Sequence, residues 1–517
     1  MRRYFNTTGP CNPKEHYMVE PLRGLYGDIA QLIENKQYFL IHAPRQTGKT
    51  TLLHQLTLRL NREGKYNALT FSVESAGVPG FSEELANERM IQALWRMCPI
   101  FLPPEAWPPK PPERGVTLLN YLTDWARAQT RPIVLFIDEA DSLWDDVLVS
   151  FLRQLRDGFQ TRPENFPQSI ALVGLRDIRE YRLKARGENP SLGSGSPFNV
   201  KAESFFLPAF SEQEVRSLLQ QHTDDTGQVF TEEAIEKIYE CSGGQPWLTN
   251  ALAHEIVAKM LKNDYSRPIT PDLVEEAKER LIEQRQTHLD SLADKISEPR
   301  VRPIVMGIIS GESIHFDGFD DALRYCRDLG IITTDDPIRF ANPIYQEIIT
   351  RVLNSSLQRG INPDIAQVSW YVRADGSLDM DKLLEAFVNF YRRHSESWLE
   401  RFEYKEAGHQ LLLMAFLQRI VNGGGRIERE MALGNGRTDL AVFWKKQVIP
   451  IELKIRYDKW SESEGIEQLS GYMDRLGQRR GYLVLFEKKP ASELPWEERI
   501  RREVHEVDGK EIILLGM

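Results

Sequence analysis

Short apolar runs alternate with longer amphipathic stretches in the first part of the chain. The runs YFLIH (38–42), PIVLFI (132–137) and SIALVG (169–174) are almost entirely apolar. Such continuous runs are typical of strands buried on both faces of a parallel sheet. The stretch after the first run, KTTLLHQL, has the spacing of an amphipathic helix. Strands that alternate with helices predict an α/β fold built on a parallel sheet.

A helical region follows this predicted sheet. Ser211 and Glu214 have the spacing of a helix capping box. Further on, CSGGQPWLTNALAHEI carries Gly243, Gly244 and Pro246 between two amphipathic stretches. Glycine and proline break helices, so the pattern predicts two helices joined by a tight turn.

Residues 301–353 read as helix, helix, two short strands and helix. The turn between the strands is Asp335-Asp336-Pro337, and Asn342-Pro343 is a good start for the last helix. This order resembles a winged helix. Winged helices bind DNA or serve as packing modules, and the lack of a basic stripe here favours packing.

Three charges interrupt apolar strands near the C-terminus. TDLAVFWKK and QVIPIELKI predict a hairpin around Lys445-Lys446-Gln447, with Asp439 nearly opposite Leu453. Glu452 and Lys454 then share one face, close enough for Asp439 to join them. Buried charges require partners, so a divalent cation between the two carboxylates would explain the pattern. Hard oxygen ligands suit Mg²⁺ or Mn²⁺.

Composition limits the class of protein. A chain of 517 residues suggests three or four domains. No apolar run approaches the roughly 20 residues of a membrane helix, and the N-terminus lacks a signal-peptide pattern. The four cysteines are scattered and form no CxxC pair, which favours a reducing cytoplasm over a disulfide or zinc framework. The net charge of −10 does not favour nucleic-acid binding, although the region after residue 401 is near neutral.

The turn after the first apolar run has the chemistry of a phosphate-binding loop. Its sequence matches GxxxxGK[ST], except that Ala43 replaces the first glycine. Backbone N–H groups at a helix N-terminus bind phosphate, Lys49 reaches the β- and γ-phosphates, and Thr50 offers a hydroxyl to Mg²⁺. The predicted nucleotide-binding residues of the loop and the next strand end are Ala43, Pro44, Arg45, Gln46, Thr47, Gly48, Lys49, Thr50, Thr51 and Asp138.

Carboxylates end the second apolar run. Asp138 is expected to hold Mg²⁺ together with Thr50, and Glu139 to orient or deprotonate the attacking water. The third run ends before Arg176, which could sense the γ-phosphate or form a surface ion pair. Asp141 is expected to cap the helix that follows.

These motifs together resemble the STAND group of signal-transducing NTPases within the AAA-related P-loop superfamily. The resemblance implies ATP and Mg²⁺ as cofactors. It also assigns Pro246, in the Gly-x-Pro lid motif, a place near the adenine. Tyr17 and Met18 of the N-terminal arm are further candidates to pack on the base.

The C-terminal pattern resembles the PD-(D/E)XK nuclease superfamily. Asp439 matches the first acid, after Thr438 instead of the usual proline, and Glu452-Leu453-Lys454 matches the ExK element. The resemblance implies Glu406 as an upstream metal ligand and Gln468 as part of a QxxxY helix. The implied chemistry is metal-assisted phosphodiester hydrolysis with Lys454 as a catalytic group. A structural ion pair in an inactive domain is the other interpretation.

The predicted fold class is an α/β P-loop NTPase with a helical lid and a winged-helix-like domain, followed by a mixed-sheet, nuclease-like α/β domain. The predicted segments are an N-terminal arm at 1–20, the AAA-like core at 21–207, the lid at 208–295, the winged-helix-like domain at 296–355, a connector at 356–395 and the nuclease-like domain at 396–517.

The chain as a whole resembles prokaryotic proteins that join an AAA-like ATPase to this nuclease fold. The expected function is an ATP-dependent switch coupled to a cytoplasmic, metal-dependent nuclease with a role in defence or mobile-element biology. DNA is the expected substrate in preference to RNA, and further copies of the chain and a trigger molecule are expected partners. The alternative is a non-cleaving switch whose C-terminal domain only binds nucleic acid or protein.

Overall fold

The computed structural model describes most of the chain, and its residues form two compact units. The described residues are 2–111, 115–175, 201–284, 292, 294–296, 298–309, 314–333, 335–359, 371–399, 413–414, 416–417, 425–433, 436–456, 460–487 and 500–517. The first unit comprises 1–290, 317–334 and 340–344, and the second comprises 291–316, 335–339 and 345–517.

The first unit begins with a two-stranded pair and continues as alternating strands and helices. These elements are β1 (Tyr4–Phe5), β2 (His16–Tyr17), α1 (Tyr26–Glu34), β3 (Tyr38–His42), α2 (Lys49–Glu63), β4 (Asn67–Ser72), α3 (Glu83–Phe101), α4 (Leu118–Ala128), β5 (Ile133–Asp138), α5 (Asp145–Gly158), β6 (Ser169–Gly174), β7 (Lys201–Phe206), α6 (Glu212–Thr226), α7 (Glu232–Ser242), α8 (Pro246–His254) and α9 (Pro271–Glu283).

Five parallel strands form the central sheet of this unit, in the order β4-β5-β6-β3-β7. All five residues of β3 are buried. Tyr38 and Leu40 pack with α3, α4 and α5, whereas Phe39 and Ile41 pack with α1 and α2. The sheet is therefore covered by helices on both faces, which confirms the α/β prediction from the apolar runs.

Helices α6 to α9 occupy the segment that is predicted to be the lid. The capping box is confirmed, because Ser211 and Glu214 exchange side-chain and backbone hydrogen bonds. The turn before α8 requires glycine at position 244. Gly244 has a φ of +71°, and a Cβ there would lie 1.9 Å from the carbonyl oxygen of Phe210. The backbone N–H of Phe210 donates to the carbonyl of Gly244 over 2.7 Å, so the two segments meet at the backbone.

The segment predicted to be a winged helix contributes to both units. It contains α10 (Arg302–Ile309), α11 (Asp321–Asp328) and α12 (Pro343–Arg359). The last helix begins at the predicted Pro343. In place of two short strands, the described residues form one isolated bridge between Ile332 and Phe340. Residues 317–334 and 340–344 belong to the first unit, whereas α10 belongs to the second.

The second unit contains a six-stranded mixed sheet. Its further elements are α13 (Met380–Leu399), β8 (Gly425–Leu433), β9 (Gly436–Trp444), β10 (Gln447–Arg456), α14 (Trp460–Arg475), β11 (Arg480–Glu487), β12 (Arg501–Val507) and β13 (Lys510–Gly516). The strand order is β12-β13-β11-β10-β9-β8. Strands β10 and β11 are parallel and are joined through α14, whereas β8, β9 and β10 are antiparallel.

The predicted register of the β9–β10 hairpin is wrong by one residue. Trp444 pairs with Gln447 and Leu440 pairs with Ile451, so the turn consists of Lys445 and Lys446 alone. Gln447 belongs to the strand and not to the turn. Asp439 and Glu452 each lie one residue beyond the pair of Leu440 and Ile451. The predicted three-residue turn instead places Asp439 nearly opposite Leu453.

Residues 371–399 pack on the C-terminal sheet and do not act as a bare connector. A turn spans 373–376, with a 2.8 Å hydrogen bond from the N–H of Gly376 to the carbonyl of Arg373. Trp444 of β9 donates to the carbonyl of Gly376, and Asp381 of α13 pairs with Arg480 and Arg502. The stretch is thus a structural part of the second unit.

Within the described part of the chain, no helix combines the length and the apolarity that crossing a membrane requires.

Candidate nucleotide-binding site

The phosphate-binding loop connects β3 to α2. Helix α2 begins at Lys49, and its N-cap, Gly48, has a φ of +90° that only glycine adopts at low cost. The hydroxyl of Thr47 donates to the carbonyl of Pro44 over 2.8 Å, which closes the loop on itself. The backbone N–H of Ala43 donates to Gly174 at the end of β6. The loop is therefore fixed to the sheet and leads into a helix N-terminus, as an anion site requires.

Lys49 is half-buried inside this loop. Its Nζ donates to the carbonyls of Ala43, at 2.8 Å, and Pro44, at 2.7 Å. Burial lowers the pKa of Lys49 to about 8, although the negative charge of Asp138 acts in the opposite direction. The ammonium group is thus held by two neutral carbonyls, and an anionic phosphate would be a stronger partner for it.

The side chains of Thr50 and Asp138 are in contact with each other. The hydroxyl of Thr50 donates to Oδ2 of Asp138 over 2.7 Å, and Asp138 is only 5% exposed. Burial raises the pKa of Asp138. A hydroxyl and a buried carboxylate in contact with each other match the hard-oxygen donor set that Mg²⁺ prefers. The predicted metal-binding roles of Thr50 and Asp138 therefore fit the structure.

The side chain of Glu139 is bound to a serine on the neighbouring strand. Glu139 has a φ of +56°, and its Oε2 accepts a 2.5 Å hydrogen bond from the hydroxyl of Ser72. Ser72 ends β4 and pairs with Asp138 in the sheet register. The negative charge of Glu139 also raises the pKa of Glu74. Sequence reasoning missed Ser72, although its position as a polar residue at a strand end was a usable signal.

The prediction that Asp141 caps the following helix is wrong. Asp141 lies in a short 3₁₀ turn, and the N-cap of α5 is Trp144. Oδ2 of Asp141 instead accepts a hydrogen bond from the N–H of Leu175, just beyond β6. Its carboxylate therefore connects the ends of two strands. The predicted sensor, Arg176, lies outside the described residues.

The lid contacts the phosphate-binding loop through Gln245. The side chain of Gln245 donates to the carbonyls of Arg45, at 3.3 Å, and Gln46, at 3.4 Å. It also caps α8, because its Oε1 accepts from the N–H of Leu248. Pro246, the predicted lid residue, is the first residue of α8 and is buried. Sequence reasoning singled out Pro246 but missed Gln245 beside it.

The loop between α11 and the bridge at Ile332 also approaches the phosphate-binding loop. Gly330 has a φ of +74°, and a Cβ there would lie 2.7 Å from the ring of Pro44. A larger residue at position 330 would therefore displace one of these two segments.

The N-terminal arm contributes one wall of a cavity beside this loop. The backbone N–H of Cys11 donates to the hydroxyl of Thr51, and Trp247 of α8 donates to the carbonyl of Thr7. The predicted ligand Thr51 is thus engaged with the arm. Tyr17 and Met18 line the cavity together with Pro246.

Two of the predicted charged residues of the C-terminal sheet, Glu452 and Lys454, lie near each other. Glu452 is 2% exposed, and Nζ of Lys454 lies 3.6 Å from its Oε1. Helix α14 crosses this face, where Gly465 lies close to the side chain of Lys454. Gln468 donates to Glu464 on its own helix. Glu406 lies outside the described residues, and only the backbone of Asp439 is described.

Among the described residues, the carboxylates and imidazoles close enough to share a metal ion are Glu462, Glu503 and His505. Arg501 pairs with both of these glutamates, so a cationic side chain already offsets part of the negative charge of the cluster.

Residues 32–181 match the AAA domain family. The chain thus contains an AAA-type P-loop ATPase domain that spans the phosphate-binding loop, Asp138 and Glu139. No curated protein matches the chain.

Several solved structures are similar to part of the chain. A Walker-type ATPase of Pyrococcus abyssi is 14% identical, with 67% of this chain and 99% of that chain covered and a TM-score of 0.47. The ORC2 protein of Aeropyrum pernix is 14% identical over 69% and 98% of the two chains, with a TM-score of 0.43. The RuvB Holliday junction branch migration motor of Thermotoga maritima is 16% identical over 64% and 95%, with a TM-score of 0.36. At these identities and TM-scores, the similarities carry no functional argument.

Proposed function

We propose that the chain is an ATP-binding and ATP-hydrolysing switch whose active site lies at the end of the parallel sheet. The observation that carries this proposal is the arrangement of Lys49 inside the loop, Thr50 in contact with Asp138, and Glu139 one residue further. This arrangement supplies a cation for phosphate, oxygen ligands for Mg²⁺ and a carboxylate for water.

Each residue has a separate role in this proposal. Lys49 leaves the two loop carbonyls and binds the terminal phosphates. Thr50 and Asp138 hold Mg²⁺, which supplies charge stabilisation for the transferred phosphoryl group. Glu139 leaves Ser72 and accepts a proton from the water that attacks the γ-phosphate. The products are ADP and inorganic phosphate.

A binding titration of the full chain tests this proposal. Wild type should bind a fluorescent ATP analogue in the presence of Mg²⁺, and Lys49→Ala should lose most of this affinity because the phosphates lose their cation. Lys65→Ala removes an exposed lysine just beyond α2 and is the matched control, which should bind as wild type does. Equal affinity of Lys49→Ala and wild type would refute the assignment.

A second candidate function is metal-dependent nucleic-acid hydrolysis by the C-terminal unit. The observation in its favour is the buried Glu452 with Lys454 at 3.6 Å in the central part of a mixed sheet. Burial of a carboxylate is costly and requires compensation. Glu452 and Asp439 would hold Mg²⁺ or Mn²⁺, and Lys454 would stabilise charge on the phosphate under attack. DNA is the proposed substrate.

Cleavage of duplex and single-stranded DNA by the full chain with Mn²⁺ tests this second candidate. Lys454→Ala should lower the rate at least about 100-fold, as loss of a charge-stabilising donor does. Lys446→Ala, in the exposed β9–β10 turn, is the control and should cleave normally. Binding of DNA or of a protein without cleavage would instead favour the non-cleaving switch.

The two candidates combine into one proposal for the whole chain, in which nucleotide state controls the C-terminal unit. A cytoplasmic location and a role in defence or mobile-element biology are parts of this proposal. Assembly with further copies of the chain, in response to a trigger molecule, would amplify the response.

A further inference from the structure

The cavity beside the phosphate-binding loop has room for more than phosphates. It encloses about 750 Å³ of atom-free space, including its open mouth. Thr47 and Gly48 of the loop line it, and so does the lid helix α8. Because the loop lines the cavity, a ligand whose phosphates bind the loop would place its remaining atoms in the cavity.

The walls away from the loop are mostly apolar. Tyr17, Met18, Pro246 and Trp247 line this part, and the bond from Trp247 to Thr7 fixes the lid helix to the N-terminal arm. Flat or apolar surfaces of this kind suit a nucleobase. Asn250 also lines the cavity, and its side chain has a buried atom that makes no hydrogen bond to the described residues.

Asn250 lies one helical turn after Pro246 and is only 7% exposed. Its Nδ2 donates to the carbonyl of Pro246 over 2.8 Å. Only the amide nitrogen can donate to a carbonyl, so this bond fixes the orientation of the amide group. Its Oδ1 is buried and makes no hydrogen bond to any of the residues that the structure describes.

An unused buried acceptor is costly unless a ligand supplies the donor. At the base end of a purine nucleotide, the 6-position differs between the common bases. Adenine carries an amino group there, which donates, whereas guanine and hypoxanthine carry an oxygen, which accepts. An acceptor held by the protein therefore favours adenine and opposes the other two.

We propose that Asn250 determines the base specificity of the site, by accepting a hydrogen bond from the 6-amino group of adenine. This inference rests on the proposed nucleotide-binding function and extends it to the choice of base. The backbone bond to Pro246 makes Asn250 rigid, so the carboxamide cannot rotate to present its nitrogen to a 6-oxo group without the loss of that bond.

Competition binding with the full chain and Mg²⁺ tests the proposal. ATP, inosine triphosphate and GTP each displace a ribose-labelled fluorescent ATP analogue. Wild type should bind inosine triphosphate about 10- to 100-fold more weakly than ATP, because the 6-oxo group faces Oδ1 and leaves it unpaired. The triphosphate of unsubstituted purine, which lacks any 6-substituent, should fall between the two.

Asn250→Leu removes the acceptor and keeps a side chain of similar size. The ratio of the two dissociation constants should fall to within about threefold, since both bases then meet an apolar group. Asn87→Leu is the matched control. The amide of Asn87 makes the same bond to the carbonyl four residues earlier, but its Oδ1 accepts from Leu118, and Asn87 does not line the cavity.

Equal binding of ATP and inosine triphosphate by wild type would overturn the inference, and this measurement does not depend on any variant. An unchanged ratio in a folded Asn250→Leu protein would overturn it as well. Failure of the underlying nucleotide-binding proposal would differ, because wild type would then bind none of the triphosphates or Lys49→Ala would bind them as wild type does.

Discussion

At the scale of single residues, the hydroxyl of Ser72 restrains the carboxylate that is proposed to activate water. Their 2.5 Å hydrogen bond holds Glu139 on the side of β4. A hydrogen bond to a charged group contributes about 1.5–3 kcal/mol. Ser72 therefore sets part of the barrier that Glu139 crosses before it reaches the substrate.

Ser72→Ala should raise the basal ATP hydrolysis rate several-fold, because Glu139 loses this restraint, and should leave ATP affinity unchanged. Phosphate release at saturating ATP measures the rate. Ser142→Ala is the control, since the buried hydroxyl of Ser142 makes no hydrogen bond to the described residues. A fall in rate for Ser72→Ala would show that the serine positions Glu139 for reaction instead of restraining it.

The pKa of Lys49 predicts a pH dependence of ATP binding. Burial lowers this pKa to about 8 in the nucleotide-free protein, and phosphate binds only the protonated amine. As pH rises through about 8, the fraction of charged Lys49 falls. The association constant for ATP should therefore decrease between pH 7.5 and 9.5, by up to about tenfold per pH unit at the upper end.

Lys49→Arg keeps its charge throughout this range and serves as the comparison. Its association constant for ATP, measured by the same titration, should stay nearly level from pH 7.5 to 9.5. Parallel curves for the two proteins would assign the pH dependence to another group.

The sequence predicts residues of the site that lie within one motif and misses those that tertiary structure brings in. The contiguous loop and the strand-end pair of Asp138 and Glu139 are recognisable because local order alone places them. Ser72 ends β4, whereas Gln245 and Asn250 belong to the N-cap and the body of α8. The parallel register of β4 and β5 places Ser72 at the site. The turn before α8 places Gln245 there, and the helical repeat of α8 places Asn250.

At the scale of elements, the junction between α7 and α8 fixes the position of the lid. Gly244 has a φ of +71°, and its backbone meets that of Phe210 too closely for any side chain. The α8 helix that follows carries Pro246 and Asn250. A change in the geometry of this turn would therefore displace α8 and, with it, the proposed base-binding wall.

Gly244→Ala should lower the free energy of unfolding by about 2–5 kcal/mol, which combines the cost of a left-handed alanine with that of overpacking. Thermal or urea denaturation measures this change. Gly227→Ala is the control, because Gly227 has a similar φ of +77° but nothing lies within 4 Å of its added Cβ. Its expected cost is only about 1–2 kcal/mol. Equal costs for both variants would contradict the close backbone approach.

Sequence patterns predict the strands next to both candidate sites and fail where the length of a turn sets the register. Apolar runs identify β3, β5 and β6 of the first sheet, and the charged hairpin pattern identifies β9 and β10 of the second. The predicted β9–β10 register is wrong by one residue because the turn has two residues and not three. The local sequence of 371–399 does not show that this segment packs on the sheet. The packing depends on the ion pair of Asp381 with Arg480 and on the hydrogen bond from Trp444 to the carbonyl of Gly376.

At the scale of the whole molecule, the proposal requires that nucleotide state change the activity of the C-terminal unit. A ligand shifts a conformational equilibrium only by its difference in affinity for the two states. Typical coupling free energies of 1–3 kcal/mol correspond to about 5- to 150-fold changes. We therefore expect a graded response from a single chain.

DNA cleavage by wild type, Lys49→Ala and Glu139→Gln should be measured at equal metal concentration without nucleotide, with ADP and with ATP. The wild-type rate should differ at least about fivefold between two of the nucleotide states, whereas Lys49→Ala should respond to neither nucleotide. One common rate in all combinations would mean that the two units are only tethered.

The most direct test of the central claim is phosphate release from ATP by wild type and Glu139→Gln at saturating Mg²⁺. The variant keeps the shape of the side chain but cannot accept a proton, so turnover should fall about 10²- to 10⁴-fold. ATP should bind with unchanged affinity. Wild-type turnover in Glu139→Gln would contradict the assignment of this site as an ATPase centre.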